Sequence, residues 1–242
     1  MNKKTIFKMI ILLVISSIVG ALFTLGLLKL NESQFISIGD QVAKFFTNNT
    51  VELHLGLIIF LYFPAVYLYF KGKKSYSQIS NISDEEIDEF EKVGSNSFDL
   101  AMLISNVFLI LNFMLFGMTF SKNSSNQSIV IFLFMFSTIA VSILTIITIK
   151  YIQKNDNRLK GDPTSFRFDK EFLESCDEAQ VSKIYKSGYR AFQFSKNVSL
   201  VFVVLTILLK FTFNTGIFPV FVSCMMMLMQ VTSYNYYAMK KE

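Results

Sequence analysis

Long stretches without a single Asp, Glu, Lys or Arg constrain this chain more than any other feature. They run Met9–Leu28, Leu53–Phe70, Leu100–Ser121, Asn123–Ile149, Asn197–Leu209 and Phe211–Met239. A helix needs about 20 apolar residues, at ~1.5 Å each, to cross a ~30 Å hydrocarbon layer. Lipid offers no partner to a backbone amide, so only helices and closed barrels span a bilayer. Runs such as Ile10-Ile11-Leu12-Leu13-Val14-Ile15 lack the alternation of a barrel strand. Asn197–Leu209 is short alone and lengthens to roughly 192–213 if Lys196 and Lys210 reach opposite interfaces. Asn214-Thr215-Gly216 then turns the chain into a last span. Only 17% of the 242 residues are charged, against about 25% in soluble domains.

The expectation is therefore an all-α polytopic membrane protein. It is a single integral membrane domain, a bundle of six transmembrane helices arranged as three hairpins, with short cytoplasmic helices extending from the spans. The spans fall at about 6–29, 51–70, 99–120, 129–150, 193–213 and 217–238. Cytoplasmic loops occupy 71–97 and 151–192, and an outer amphipathic loop occupies 31–50.

Charge sets the orientation. In this plan Lys29, Lys44, Lys122 and Lys210 lie on one side and the rest of the 23 basic residues on the other. The positive-inside rule makes the lysine-rich side cytoplasmic, with both termini on it. Tyr67, Tyr69, Tyr234, Tyr236 and Tyr237 suit an interfacial aromatic belt at that side. The first span, behind Lys3 and Lys4, is longer than a secretory h-region and is followed by no A-x-A-like site, so it reads as a retained anchor. The net charge of +5 is then a topology signal, and nucleic acid is not an expected partner. Cys176 in a cytoplasmic loop and Cys224 inside a span give no disulfide framework.

The loops carry the polar patterning. Between residues 31 and 50, Phe35, Ile38, Val42 and Phe45/Phe46 recur at helical spacing, which predicts a surface-lying helix. Ser83-Asp84-Glu85-Glu86 and Ser175-Cys176-Asp177-Glu178 both read S-x-x-E, the signature of a capping box. The first should open a short acidic helix with Ile87, Phe90 and Val93 on one side; the second should open a helix continuous with span five. Gly94–Phe98 and Gly188–Phe192 share G-x-x-x-F, which suggests a duplicated hairpin. Pro64 should kink span two.

Reactive chemistry is scarce. His54 is the sole histidine, too few for a zinc site of several His or carboxylate ligands. The sequence contains no G-x-S-x-G and no G-x-x-x-x-G-K-[ST]. Glu52, Asp99, Lys196 and Lys210 all fall near span ends, away from the mid-membrane depth where ion pathways place charges. Met225, Met226, Met227 and Met229 face different sides of a helix and read as apolar filler. No catalytic, metal-binding or cofactor-binding residue is assigned, and the chain is not expected to be an enzyme.

The segment Leu173–Val198, LESCDEAQVSKIYKSGYRAFQFSKNV, resembles the conserved cytoplasmic region of an uncharacterised bacterial multi-pass membrane family, domain of unknown function 3169. The basic N-terminal anchor, the S-D-E-E-x-x-x-x-F helix before span three and the Tyr-rich basic tail resemble that family too. The resemblance implies a plasma-membrane location in a bacterial cell. The family has no established activity, so it implies no site residues.

The functional expectation is a non-enzymatic accessory, sensor or immunity-type interaction subunit in the plasma membrane. Its partners are the lipid bilayer and another membrane protein, such as a transporter. Candidate partner contacts are Glu85, Glu86, Glu89, Asp177, Glu178, Tyr185, Tyr189 and Arg190. The alternative is a small carrier or channel for an apolar or amphipathic solute.

Overall fold

A computed structural model describes residues 32–78, 84–119, 127–156, 158–213 and 215–239. The first expected span, 6–29, lies outside the described residues, as does Ser83 of the first capping box. Helices dominate, and no strand occurs among the described residues. Helix α1 covers Glu32–Asn48 and α2 covers Thr50–Gln78. Helix α3 follows over Asp84–Thr119 and α4 over Gln127–Asn155. The short α5 spans Phe168–Ser175, and the long α6 and α7 span Glu178–Phe213 and Phe218–Met239.

Four helices are long and apolar enough to cross a membrane: α2, α3 from Glu89 onward, α4 and α6. Helix α7 is long enough but is not among them, because Gln230, Thr232, Ser233 and Asn235 dilute its apolar first half. These helices keep large apolar side chains outward: Ile110 is 68% exposed, Phe132 66% and Phe60 77%. Lipid solvates such groups, so burying them against protein gives little.

The segment 71–97, expected as a loop with a short helix, mostly continues the long helices, whereas 151–192 keeps an irregular stretch and a short helix between Asp156 and Asp177. Helix α2 runs past Lys71 to Gln78, and α3 begins at Asp84 and reaches the apolar run without a break. Nothing in Lys92-Val93-Gly94-Ser95 stops a helix, and the ring of Tyr76 packs on Gly94. The expected continuity of the segment after Asp177 with the fifth span is seen in the 36 residues of α6. Pro64 makes itself felt as a π-turn over Ile58–Tyr62, where the Phe63 N–H bonds the carbonyl of Ile58. Pro64 has no N–H to continue the α ladder, and a widened turn absorbs the loss.

The described chain divides into two compact units, one formed by Gln41–Val181 and the other by residues 32–40 with those from 182 to 239. In the first, α2, α3 and α4 pack as a three-helix bundle, with α2 against α3 the most extensive contact. The hairpin reading assigns these two helices to different hairpins. Tyr69 and Phe98, with Ala65 and Leu144, form the core, which lies toward the lysine-rich end of the bundle. In the second, α7 lies along the part of α6 beyond Ser182, joined to it by side-chain hydrogen bonds and stacked rings.

Candidate functional site

The lysine-rich end of the bundle is built by two reciprocal glycine–aromatic contacts. Gly72 on α2 receives the ring of Phe98 from α3, and Gly94 on α3 receives the ring of Tyr76 from α2. Each glycine lets a ring approach where a side chain would stand. Tyr76 and Phe98 stack at 5.7 Å and 21°, and Tyr151 from α4 closes the cluster 5.6 Å from Phe98. Ser75 Oγ donates to the carbonyl of Phe90 at 2.7 Å, pinning α2 to the start of α3. Lys73 lies over the Tyr151 ring at 5.9 Å, within cation–π range.

Beyond α4 the chain turns around Arg158. Its Nε and Nη2 donate to both carboxylate oxygens of Asp156, at 2.9 and 2.8 Å, and Nη1 stands 3.8 Å from Asp177. The Arg158 guanidinium holds the Asp156 carboxyl below its ordinary range, mainly through that hydrogen bond. Glu91, near the start of α3, also acts weakly on Arg158 through space. Gly161 adopts φ +106°, a conformation that favours glycine. Its carbonyl accepts from Gln153 Nε2 at 2.7 Å.

The α6 cap differs from the expected one. Asp177 Oδ1 accepts the Gln180 N–H at 2.8 Å and Gln180 Oε1 accepts the Asp177 N–H at 3.1 Å. This is a D-x-x-Q capping box, two residues beyond the expected S-x-x-E. Ser175 belongs to the end of α5, where its hydroxyl donates to the Phe172 carbonyl and accepts the Lys160 N–H. An aspartate carboxylate is a strong Ncap acceptor, and the Ser175 hydroxyl is already engaged by Phe172 and Lys160. Next to the cap, burial and Asp177 push the Cys176 thiol up. Both Cys176 and Cys224 are free.

The expected partner contacts are distributed as follows. Glu85 and Glu86 lie in the first turn of α3. Glu89 is exposed and lines a groove of about 280 Å³ with Lys71, Lys74 and Val93. Asp177 caps α6 and faces Arg158. Glu178, Tyr185 and Arg190 are exposed along α6. Tyr189 is also exposed, but its hydroxyl accepts from Gln193 Nε2 and its ring lies 6.4 Å from Tyr234. Reading the sequence overlooked Arg158 and Tyr151, which organise this end; their only signal was a basic and an aromatic residue close to a helix terminus.

It also overlooked Asn112 and Gln230, which make hydrogen bonds between the long apolar helices. Asn112 is 1% exposed and donates from Nδ2 to Thr138 Oγ1 at 3.1 Å, joining α3 to α4. An asparagine alone in the run LILNFML was the available signal. On the other unit, Gln230 of α7 bonds Ser195 and Ser199 of α6, and Thr206 pairs with Ser223 at 3.0 Å. His54 is buried; its Nδ1 lies 2.9 Å from the Thr50 carbonyl and therefore donates, while Nε2 meets no partner among the described residues. Further along, α2 and α3 border a groove of about 450 Å³, apolar except for Glu52, with Phe46, Leu57, Phe60 and Met114 in its walls beside the π-turn.

The two G-x-x-x-F segments do different things. Gly94 is filled by Tyr76, whereas nothing lies within 4 Å of a side chain placed at Gly188. Phe98 stacks on a tyrosine from the preceding helix and Phe192 on Tyr234 from the following one, at 4.2 Å. The shared pattern marks where a helix meets a span, without repeating a contact.

Among the described residues, no three His, Cys, Asp or Glu side chains gather closely enough to hold a metal ion. The model of a protein family described as "protein of unknown function (DUF3169)" matches residues 3–238, nearly the whole chain. No curated protein and no solved structure matches it.

Proposed function

The chain belongs to the DUF3169 family of proteins of unknown function, and we propose its role from its own surfaces: a non-enzymatic interaction subunit of the bacterial plasma membrane. It crosses the bilayer six times, with both termini cytoplasmic, and engages another membrane protein through its cytoplasmic helices. One observation carries this reading. Helix α6 runs unbroken from Glu178 to Phe213, so the exposed Glu178, Tyr185 and Arg190 stand on a rigid extension of a span. Rigid presentation lowers the ordering cost of association, and exposed Tyr and Arg are the residue types enriched where protein surfaces meet.

A photocrosslinker replacing Tyr185 in living cells tests it. The expected result is a discrete adduct with one other membrane protein, lost when Glu178→Lys and Arg190→Glu are introduced together. An absence of adducts at positions 178, 185 and 190 alike overturns the reading. Topology is checked separately by tags at both ends, which should be shielded in intact cells.

A second reading, a carrier for an apolar or amphipathic solute, is favoured by the groove beside the π-turn. Its apolar walls and single carboxylate, Glu52, suit a ligand with an apolar body and one cationic group. Flux of such amphiphiles into liposomes containing the purified protein supports it; zero flux across a broad panel removes it.

A further inference from the structure

We propose that the groove between the end of α2 and the start of α3 binds the headgroup of an anionic glycerophospholipid. The inference rests on α2 crossing the bilayer. Lys71 is the first charged residue after the apolar run Leu53–Phe70, which places it at headgroup level. Lys74 and Gln78 follow at i+3 and i+7, on one flank of the helix. Together with Glu89, Phe90 and Val93 of α3 they line a groove of about 280 Å³.

Among the described residues, the charges in this groove enter no ion pair. The ion pairs among the described residues involve Arg158 with Asp156 and Asp177, and Lys170 with Glu174. Lys71 and Lys74 are in none of them, and both are exposed. Lys73, on the other flank, is engaged by Tyr151. Two lysines and one glutamate leave a single net positive charge, which matches the single negative charge of a phosphodiester. Glu89 in the lining repels a second negative charge and so disfavours doubly charged free phosphate. Basic pockets between spanning helices at the inner interface are sites where lipid headgroups bind.

The walls are fixed before any ligand arrives. Ser75 Oγ on the Phe90 carbonyl and the two glycine–aromatic contacts hold α2 and α3 in register. Phe90 and Val93 give an apolar floor for the glycerol. Tyr67, one turn toward the bilayer from Lys71, is 67% exposed and offers an apolar surface to an acyl chain.

The test uses the full chain, purified and delipidated in mild detergent, titrated with phosphatidylglycerol, phosphatidylcholine or inorganic phosphate while thermal unfolding is followed. Phosphatidylglycerol should stabilise the protein at far lower concentration than the other two. Lys71→Gln with Lys74→Gln should weaken its apparent affinity on the order of 30-fold, taking about 1 kcal/mol for each lysine near the surface. Without lipid this variant should melt with the wild type, since both side chains are exposed. Glu89→Gln should improve the response to inorganic phosphate.

Equal responses of wild type and the lysine variant to phosphatidylglycerol overturn the proposal. Equal potency of phosphatidylcholine, or inorganic phosphate acting as strongly as the anionic lipid, also overturns it. Alkaline washing of membranes separates this failure from failure of the spanning reading, because a chain that spans stays in the pellet whatever its lipid preference.

Discussion

A methyl group at residue 72 would lie 2.8 Å from the ring of Phe98, so the glycine on α2 and the aromatic on α3 are fitted to each other. Phe98 is 1% exposed and wedged among Tyr69, Tyr76 and Tyr151, leaving the ring nowhere to retreat. Gly72→Ala should therefore destabilise by about 1–3 kcal/mol, as overpacking of a filled core does. Gly94→Ala meets the Tyr76 ring at 2.6 Å and should act in the same direction. Gly188→Ala, with open space around it, should be neutral or stabilising by up to ~1 kcal/mol through helix propensity. Thermal unfolding in one detergent ranks the three.

Asn112 ties α3 to α4 within the apolar zone. Asn112→Leu and Thr138→Val should each destabilise, and their double-mutant cycle should give a coupling of ~0.6 kcal/mol, the scale of interhelical hydrogen bonds in lipid. Unfolding by graded SDS in mixed micelles measures it. Strict additivity of the two substitutions would remove the tie.

Gln230 bonds two serines one turn apart on α6. Gln230→Leu should loosen α7 from α6 by roughly 1 kcal/mol, two such bonds being lost. Raised amide exchange in α7, with α2–α4 unchanged, is the expected readout. Unchanged exchange in α7 would mean the side chain does not hold the pair together.

The Asp156–Arg158 pair gives a pH dependence with a defined sign. The folded Asp156 carboxyl titrates below its ordinary value of 3.8. Its contribution is thus fully present above that value and is lost as pH falls through the lower folded one. Wild type should melt above Asp156→Asn at neutral pH, with the gap closing only below pH 3.8. Arg158 is largely exposed, with 70% of its side chain accessible, so solvent screening keeps the gap small. A gap that persists unchanged into stronger acid would assign the effect to something other than this carboxylate.

Sequence alone determined that this chain is helical, with helices long and apolar enough to cross a bilayer, because that follows from charge-free runs of about twenty residues. It also located the amphipathic helix at Glu32–Asn48 and the continuous helix after Asp177, since both follow from periodicity and local hydrogen bonding. It misplaced the α6 cap, because Ser175 and Asp177 offer equally good local signatures and only the end of α5 decides between them. Only the tertiary structure decided that Gly72 belongs with Phe98, that Gly94 belongs with Tyr76, and that α2 rather than α4 packs most closely on α3. Those pairings depend on shape at close range, on which ring fits which gap, and in lipid no difference in hydropathy between residues records that choice.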